Sequence, residues 1–123
     1  MSASQRRKGA RAEVELANLL TERIGVAVKR RLGQERDGGA DIRLGRAHIQ
    51  AKRCETLALS AWWRQAVADA GDDLPVLAWR QSRKGWTFRV PLRAVLGTVL
   101  WVNEPTCDMG IEAFAMFCRE RLL

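Results

Sequence analysis

The 123-residue chain has no tyrosine, one histidine, three prolines and three cysteines. Cys54, Cys107 and Cys118 are odd in number and lack CxxC or Cys/His ligand spacing, so neither a disulfide framework nor a structural zinc site is indicated. Reduced thiols of this kind fit a cytoplasmic protein, and a small basic chain would suit a phage or prophage. No stretch approaches the roughly 18 uncharged apolar residues of a membrane span. The opening "MSASQRRKGARAE" has no apolar segment of a secretory signal, so export is not expected. Internal repeats and low-complexity tracts are also absent. His48 has no companion ligand in the sequence and is assigned no role.

What the chain has in excess is positive charge: 21 Lys and Arg against 14 Asp and Glu, a formal net charge of +7. Such a charge repels itself unless a polyanion offsets it, and nucleic acid is the first candidate. A generic basic surface is the alternative. The length suits one domain, able to bury about two-thirds of its unfolded surface without metal or disulfide staples.

Hydrophobic periodicity divides the chain into a basic arm (1–8), a core (9–92) and a helical extension (93–123). In "ARAEVELANLLTERI" the positions Glu13, Leu16, Ala17, Leu20 and Ile24 recur at helical steps, with Glu15 directed to solvent. Gly25 ends that helix, and "VAV" (26–28) predicts a short strand before a charged loop over 29–39. "ADIRL" (40–44) and "HIQAKR" (48–53) alternate around Gly45-Arg46 as a hairpin. A helix is expected over 59–71, capped by Ser60 and packed through Trp63, Ala66, Val67 and Ala70. "LPVLAWRQ" (74–81) and "GWTFRVP" (85–91) predict a second hairpin. Pro91 can open a helix carrying Leu92, Val95, Leu96 and Val99, and Asp108 can cap a last helix through Ile111, Phe114 and Phe117. The five tryptophans, Trp62, Trp63, Trp79, Trp86 and Trp101, sit mostly beside aliphatics as core residues, with Trp62 the best candidate for base stacking.

The first hairpin carries polar residues that a structural strand does not need. Gln50 and Lys52 are two apart on one strand, hence on one face, and the adjacent strand brings Asp41 alongside. Phosphodiester hydrolysis needs a divalent cation held by hard oxygens, a water near it and positive charge for the developing phosphorane. Asp41 and Gln50 offer oxygens, Lys52 offers the charge, and Glu13 can add a carboxylate from the helix above. The alternatives are a turn aspartate, the polar face of an edge strand, and a helix carboxylate favoured by the macrodipole.

These residues together resemble the PD-(D/E)xK nuclease superfamily, most closely archaeal-type Holliday-junction resolvases. "RRKGARAEVEL" is similar to that family's basic opening with a catalytic glutamate at Glu13. "ADI" matches its metal-binding aspartate at Asp41, "IQAK" stands where the family has I-E-V-K, and "LPVLAWRQSRKGWTFRVPL" is similar to its closing hairpin. Gln50 departs from the usual acid and leaves the ligand set one negative charge short. The resemblance implies an α/β restriction-endonuclease-like fold with a mixed central sheet and a catalytic group of Glu13, Asp41, Gln50 and Lys52. It also implies Mg²⁺ (Mn²⁺ possible) held by Glu13, Asp41, Gln50 and the Ala51 carbonyl. Arg6, Arg7, Lys8, Arg11, Lys29, Arg30, Arg31, Arg36 and Arg53 would grip phosphates of a branched DNA, and the protein would act as a homodimer. Two alternatives stand beside this: a nucleic-acid-binding protein that keeps the fold without cleavage, and a nuclease of linear or nicked duplex.

Overall fold

In the computed structural model, which describes residues 3–31, 41–97 and 105–123, the helical apolar stripe of the first segment becomes α1 (Ala3–Ile24). Its buried side chains, among them Leu16, Ala17, Leu20 and Ile24, follow the expected steps of three and four. The two alternating runs form a hairpin of β1 (Ile42–Leu44) and β2 (Ala47–Arg53), with Gly45 at φ +58° in the turn. α2 (Leu59–Ala70) then crosses over to β3 (Leu74–Arg80), which lies parallel to β2. Parallel neighbours require such a crossover, whereas the antiparallel β4 (Thr87–Pro91) needs only a short turn. A short α3 (Leu92–Leu96), β5 (Thr106–Met109), α4 (Ile111–Phe117) and a wider π-type turn over Cys118–Leu122 follow.

The strands make one mixed five-stranded sheet in the order β1-β2-β3-β4-β5, flanked by helices: an α/β architecture. Pleating gives it two chemically different faces. Ile42, Ile49, Val76, Ala78, Phe88 and Val90 belong to the main core with α1 and α4. Gln50, Lys52, Leu77 and Trp79 alternate onto the other face, where α2 buries Ala66 and Ala70. Phe88 and Phe114 stack at 4.2 Å between centroids, and Phe117 lies 6.0 Å from Phe114. Stacking of this kind adds about 0.5–1.5 kcal/mol to the area buried.

Several local expectations are corrected. The segment expected as an arm is helical from Ala3, so α1 extends back through it. Residues 26–28 form no strand: the Thr21 hydroxyl accepts from Val28 N–H at 2.9 Å and thereby supplies the partner that a sheet neighbour would have supplied. Pairing is deferred to a single bridge between Arg30 and Ile42. Ser60 does not cap α2, because Trp62 N–H already bonds Ala58 O at 3.0 Å and places the cap position at Ala58. Val67 is 44% exposed, and Trp63 is only half-buried. Asp108 caps nothing; it stands in β5 and pairs bidentately with Arg89 (2.7 and 3.0 Å), while Gly110 precedes α4. That carboxylate holds the Arg89 guanidinium above its ordinary range. The extension is therefore not purely helical, since β5 adds an edge strand to the sheet. Val99, Trp101 and most of the 29–39 loop lie outside the described residues. No helix among the described residues is long and apolar enough to cross a membrane.

Candidate active site

In a regular strand the N–H and C=O of one residue point to the same neighbour. Those of Asp41 do not: its N–H bonds Ile49 O at 3.0 Å, and its C=O accepts from Arg31 N–H at 2.8 Å on the opposite side. Since Ile42 also pairs with Ile49, two residues of one strand face one of the other, the geometry of a β-bulge. A bulge re-aims a side chain. The carboxylate of Asp41, only 5% exposed, reaches β2 and accepts the Ala51 N–H at 2.8 Å. Because the carbonyl of Ala51 shares an edge with its N–H, it lies on the Asp41 side of β2.

Gln50 is 6% exposed and lies in the second strand of the sheet, which removes the solvated edge-strand alternative for it. Its amide donates to Asp69 Oδ2 at 2.9 Å, and Gln65 donates to Asp69 Oδ1 at the same distance. A carboxylate can only accept here, so the NH₂ end of Gln50 faces α2 and the amide oxygen faces the other way. Lys52, half-buried, follows on the same face beside Trp79. Glu13 is 6% exposed on α1, with Arg30 Nη1 3.5 Å from its Oε1. The Arg30 bridge to Ile42 places that pair on the α1 side of β1, next to the bulge. The structure thus joins Asp41 to Ala51 directly and keeps Gln50 beside them, while Glu13 approaches from the helix covering the opposite face.

Among the described residues no three His, Cys, Asp or Glu side chains gather as a metal-ligating group. A cation at the Asp41–Ala51 junction would draw on few carboxylates and on neutral oxygens. That donor set fits magnesium, which is commonly bound through one or two carboxylates and keeps several waters.

The basic residues divide into three groups. Arg7, Lys8, Arg11 and Lys29 are exposed, Arg30, Arg31 and Arg53 are half-buried, and the Arg6 side chain and Arg36 lie outside the description. Trp62 is half-buried, while Trp79 and Trp86 are buried. Two residues escaped the sequence reasoning. Asp69 stands three positions after Ala66 on the sheet-facing stripe of α2, a spacing that could have singled out a buried-side acid. Glu15, expected in solvent, is ion-paired with Arg80 because β3 brings a half-buried cation beneath α1. His48 lies 3.0 Å from Asp73 at the far end of the hairpin.

Compared with known proteins, the chain matches no protein-family model, no curated protein and no solved structure.

Proposed function

We propose that the protein is a divalent-metal-dependent, structure-selective DNA endonuclease with a restriction-endonuclease-like fold, similar in kind to Holliday-junction resolvases. The observation that carries this reading is the bulge at Asp41, which buries a carboxylate against the backbone of Ala51, between Gln50 and Lys52 in β2. Burying an acid in a sheet is costly unless its charge is used or compensated, and a strand ladder alone gives no reason to break the pleat there.

Glu13, Asp41, Gln50 and the Ala51 carbonyl would hold Mg²⁺ or Mn²⁺. The cation would neutralise phosphate charge and make a nearby water a better nucleophile. Lys52 orients that water and stabilises charge on the phosphate, and Asp69 fixes which end of Gln50 faces the site. Arg7, Lys8 and Arg11 on α1, with Lys29, hold the DNA backbone without reading sequence. Two symmetric nicks need two such sites, which makes a homodimer the working assembly.

The bond from Gln50 to Asp69 favours one rival: a side chain committed to a helix carboxylate can serve packing alone, leaving a DNA-binding protein without cleavage. Incubation with a labelled four-way junction, with and without Mg²⁺ or Mn²⁺, separates the two. Metal-dependent nicking is expected, with linear and nicked duplexes cut more slowly. Tight junction binding with no product in either metal would establish the rival.

A further inference from the structure

Beyond the proposed catalytic residues, the C-terminal ends of β2 and β3 carry a second cluster of polar side chains. Arg53 of β2 and Arg80 of β3 are register partners, so their side chains rise from the same face of the sheet. Thr87 partners Trp79, and the next step of that register sets Trp86 beside Arg80. Arg53 of β2, Arg80 of β3 and Trp86, the residue just before β4, therefore lie in a row beneath α1.

Each of these residues has a buried donor with no hydrogen-bond partner: Arg53 Nε, Arg80 Nε and Trp86 Nε1. Buried donors in native proteins are almost always satisfied, and three on adjacent strands is an unusual concentration. Trp86 is 6% exposed, so its indole cannot turn out to water. Beside Arg80 is one buried acceptor without a partner, Oε2 of Glu15, whose other oxygen pairs with Arg80. An open cavity of ≈ 350 Å³ lies at the Arg80–Trp86 end of this row, lined also by Gln81 and Lys84. Ser82 donates to the exposed Glu55 carboxylate and holds it below the ordinary carboxylate range, and Lys8 and Arg53 each act on Glu55 in the same direction.

We propose that Arg53, Arg80 and Trp86 form a phosphate-binding site, separate from the Asp41 bulge, in which guanidinium and indole N–H groups complete their hydrogen bonds on one tetrahedral oxyanion. Guanidinium forks and a fixed N–H suit a phosphate, and its negative charge relieves the juxtaposition of two arginines that Glu15 only half offsets. The choice of phosphate among oxyanions rests on the nucleic-acid reading above. The source is either a nucleic-acid phosphate or a free phosphate, since the chemistry recognised is the same.

The test is titration of the full chain with inorganic phosphate in a metal-free chloride buffer, followed by indole fluorescence and calorimetry. Saturable binding is expected. Trp86→Phe, which keeps an aromatic ring but removes the donor, and Arg53→Gln should each weaken it by about tenfold or more, the size of a lost hydrogen bond to a charged group. Asp41→Asn should bind phosphate as the wild type does. Because Trp86 packs in the core, Arg53→Gln keeps the test decisive should Trp86→Phe fold poorly. Oligonucleotides with and without a terminal phosphate identify the source: preference for the phosphorylated end assigns a monoester, and equal binding sensitive to Arg53→Gln assigns the backbone. If the wild type saturates with none of these, or binds them equally well without Arg53 or the Trp86 donor, the site does not exist. Phosphate binding with these sensitivities in a chain that never cuts DNA would leave this site standing and remove the nuclease instead.

Discussion

Gln50 lies 2.9 Å from the Asp69 carboxylate, and that neighbour determines what an acid at position 50 would do. Gln50→Glu replaces a donated hydrogen bond with two carboxylates at contact distance in a buried place. Without metal the variant should be less stable by about 1–3 kcal/mol. The new carboxyl would hold its proton to higher pH than in the unfolded chain, so its contribution is fully present below the ordinary glutamate range and lost as pH rises through the raised value. The loss of melting temperature should therefore be larger at pH 8 than at pH 5, and Mg²⁺ should recover it. A melting curve indifferent to Mg²⁺ would leave no cation at this position, whereas recovery by Asp69→Asn alone would show the clash without the metal. Asp41→Asn and Lys52→Ala should each abolish junction cleavage while changing junction binding only a few-fold, because metal and charge act on the transition state more than on the ground state. Undiminished nicking by either variant would remove the assigned centre. Burial pushes the Cys118 thiol up to about 12 from an ordinary value of 9.0. It should resist iodoacetamide at pH 8 in the native protein while the half-buried Cys54 and Cys107 react, which peptide mass mapping would show. Its contribution to stability is fully present below pH 9.0 and is lost as pH rises from there, as the unfolded chain sheds a proton that the native one retains. At this scale, Asp41, Gln50 and Lys52 were legible because alternation and spacing are local. Asp69 was not, since its partner is 19 positions away and reached only through a crossover.

Both hairpins were legible as elements because each has two alternating runs and a glycine-bearing turn, and α1 because its apolar steps persist over several turns. β5 was not. Its sequence Thr-Cys-Asp-Met has neither a β-branched run nor a buried stripe, and its strand state comes from pairing along β4, with Asp108 opposite Arg89. The same competition explains the absent strand at 26–28, where a side-chain hydroxyl satisfied the backbone first. The bulge at Asp41 was hidden for a related reason: period-two patterning assumes an unbroken pleat, and only the opposed bonds to Ile49 and Arg31 reveal that it breaks. The C-terminal segment belongs to the main core through Phe114, which is fully buried between Phe88 and Phe117. Phe114→Ala should cost about 3–5 kcal/mol, measured by urea unfolding followed by far-UV dichroism. A change under about 1 kcal/mol would mean that α4 is an appendage and that β4 holds its place without it.

Across the whole molecule, +7 is the excess left when 14 acids are set against 21 bases, and the ion pairs that offset the other cations are unevenly placed. Arg23 pairs with Glu112, Arg43 and Arg46 with Asp73, Arg80 with Glu15 and Arg89 with Asp108. Arg7, Lys8 and Arg11, by contrast, stand exposed at the N-terminal half of α1, at helical steps that put Arg11 next to both of the others, and one residue before the buried Ala12 and Glu13. The cationic stripe is thus carried by the same helix that delivers Glu13 to the proposed centre. A duplex laid along it would release counterions as its phosphates are neutralised, so the logarithm of affinity should fall linearly with the logarithm of salt, by about 0.9 for each contact. Replacing Arg7, Lys8 and Arg11 together by alanine should flatten that slope by about 2–3 and weaken binding to all sequences alike. Stability should change little, because exposed charges contribute little to folding, the Glu55 that Lys8 acts on being itself exposed, and alanine is the best helix former. Fluorescence anisotropy of a labelled junction between low and moderate salt would measure the slope in both proteins. An unchanged slope would place the DNA on another face and separate α1's charge from any role in bringing phosphate to Asp41.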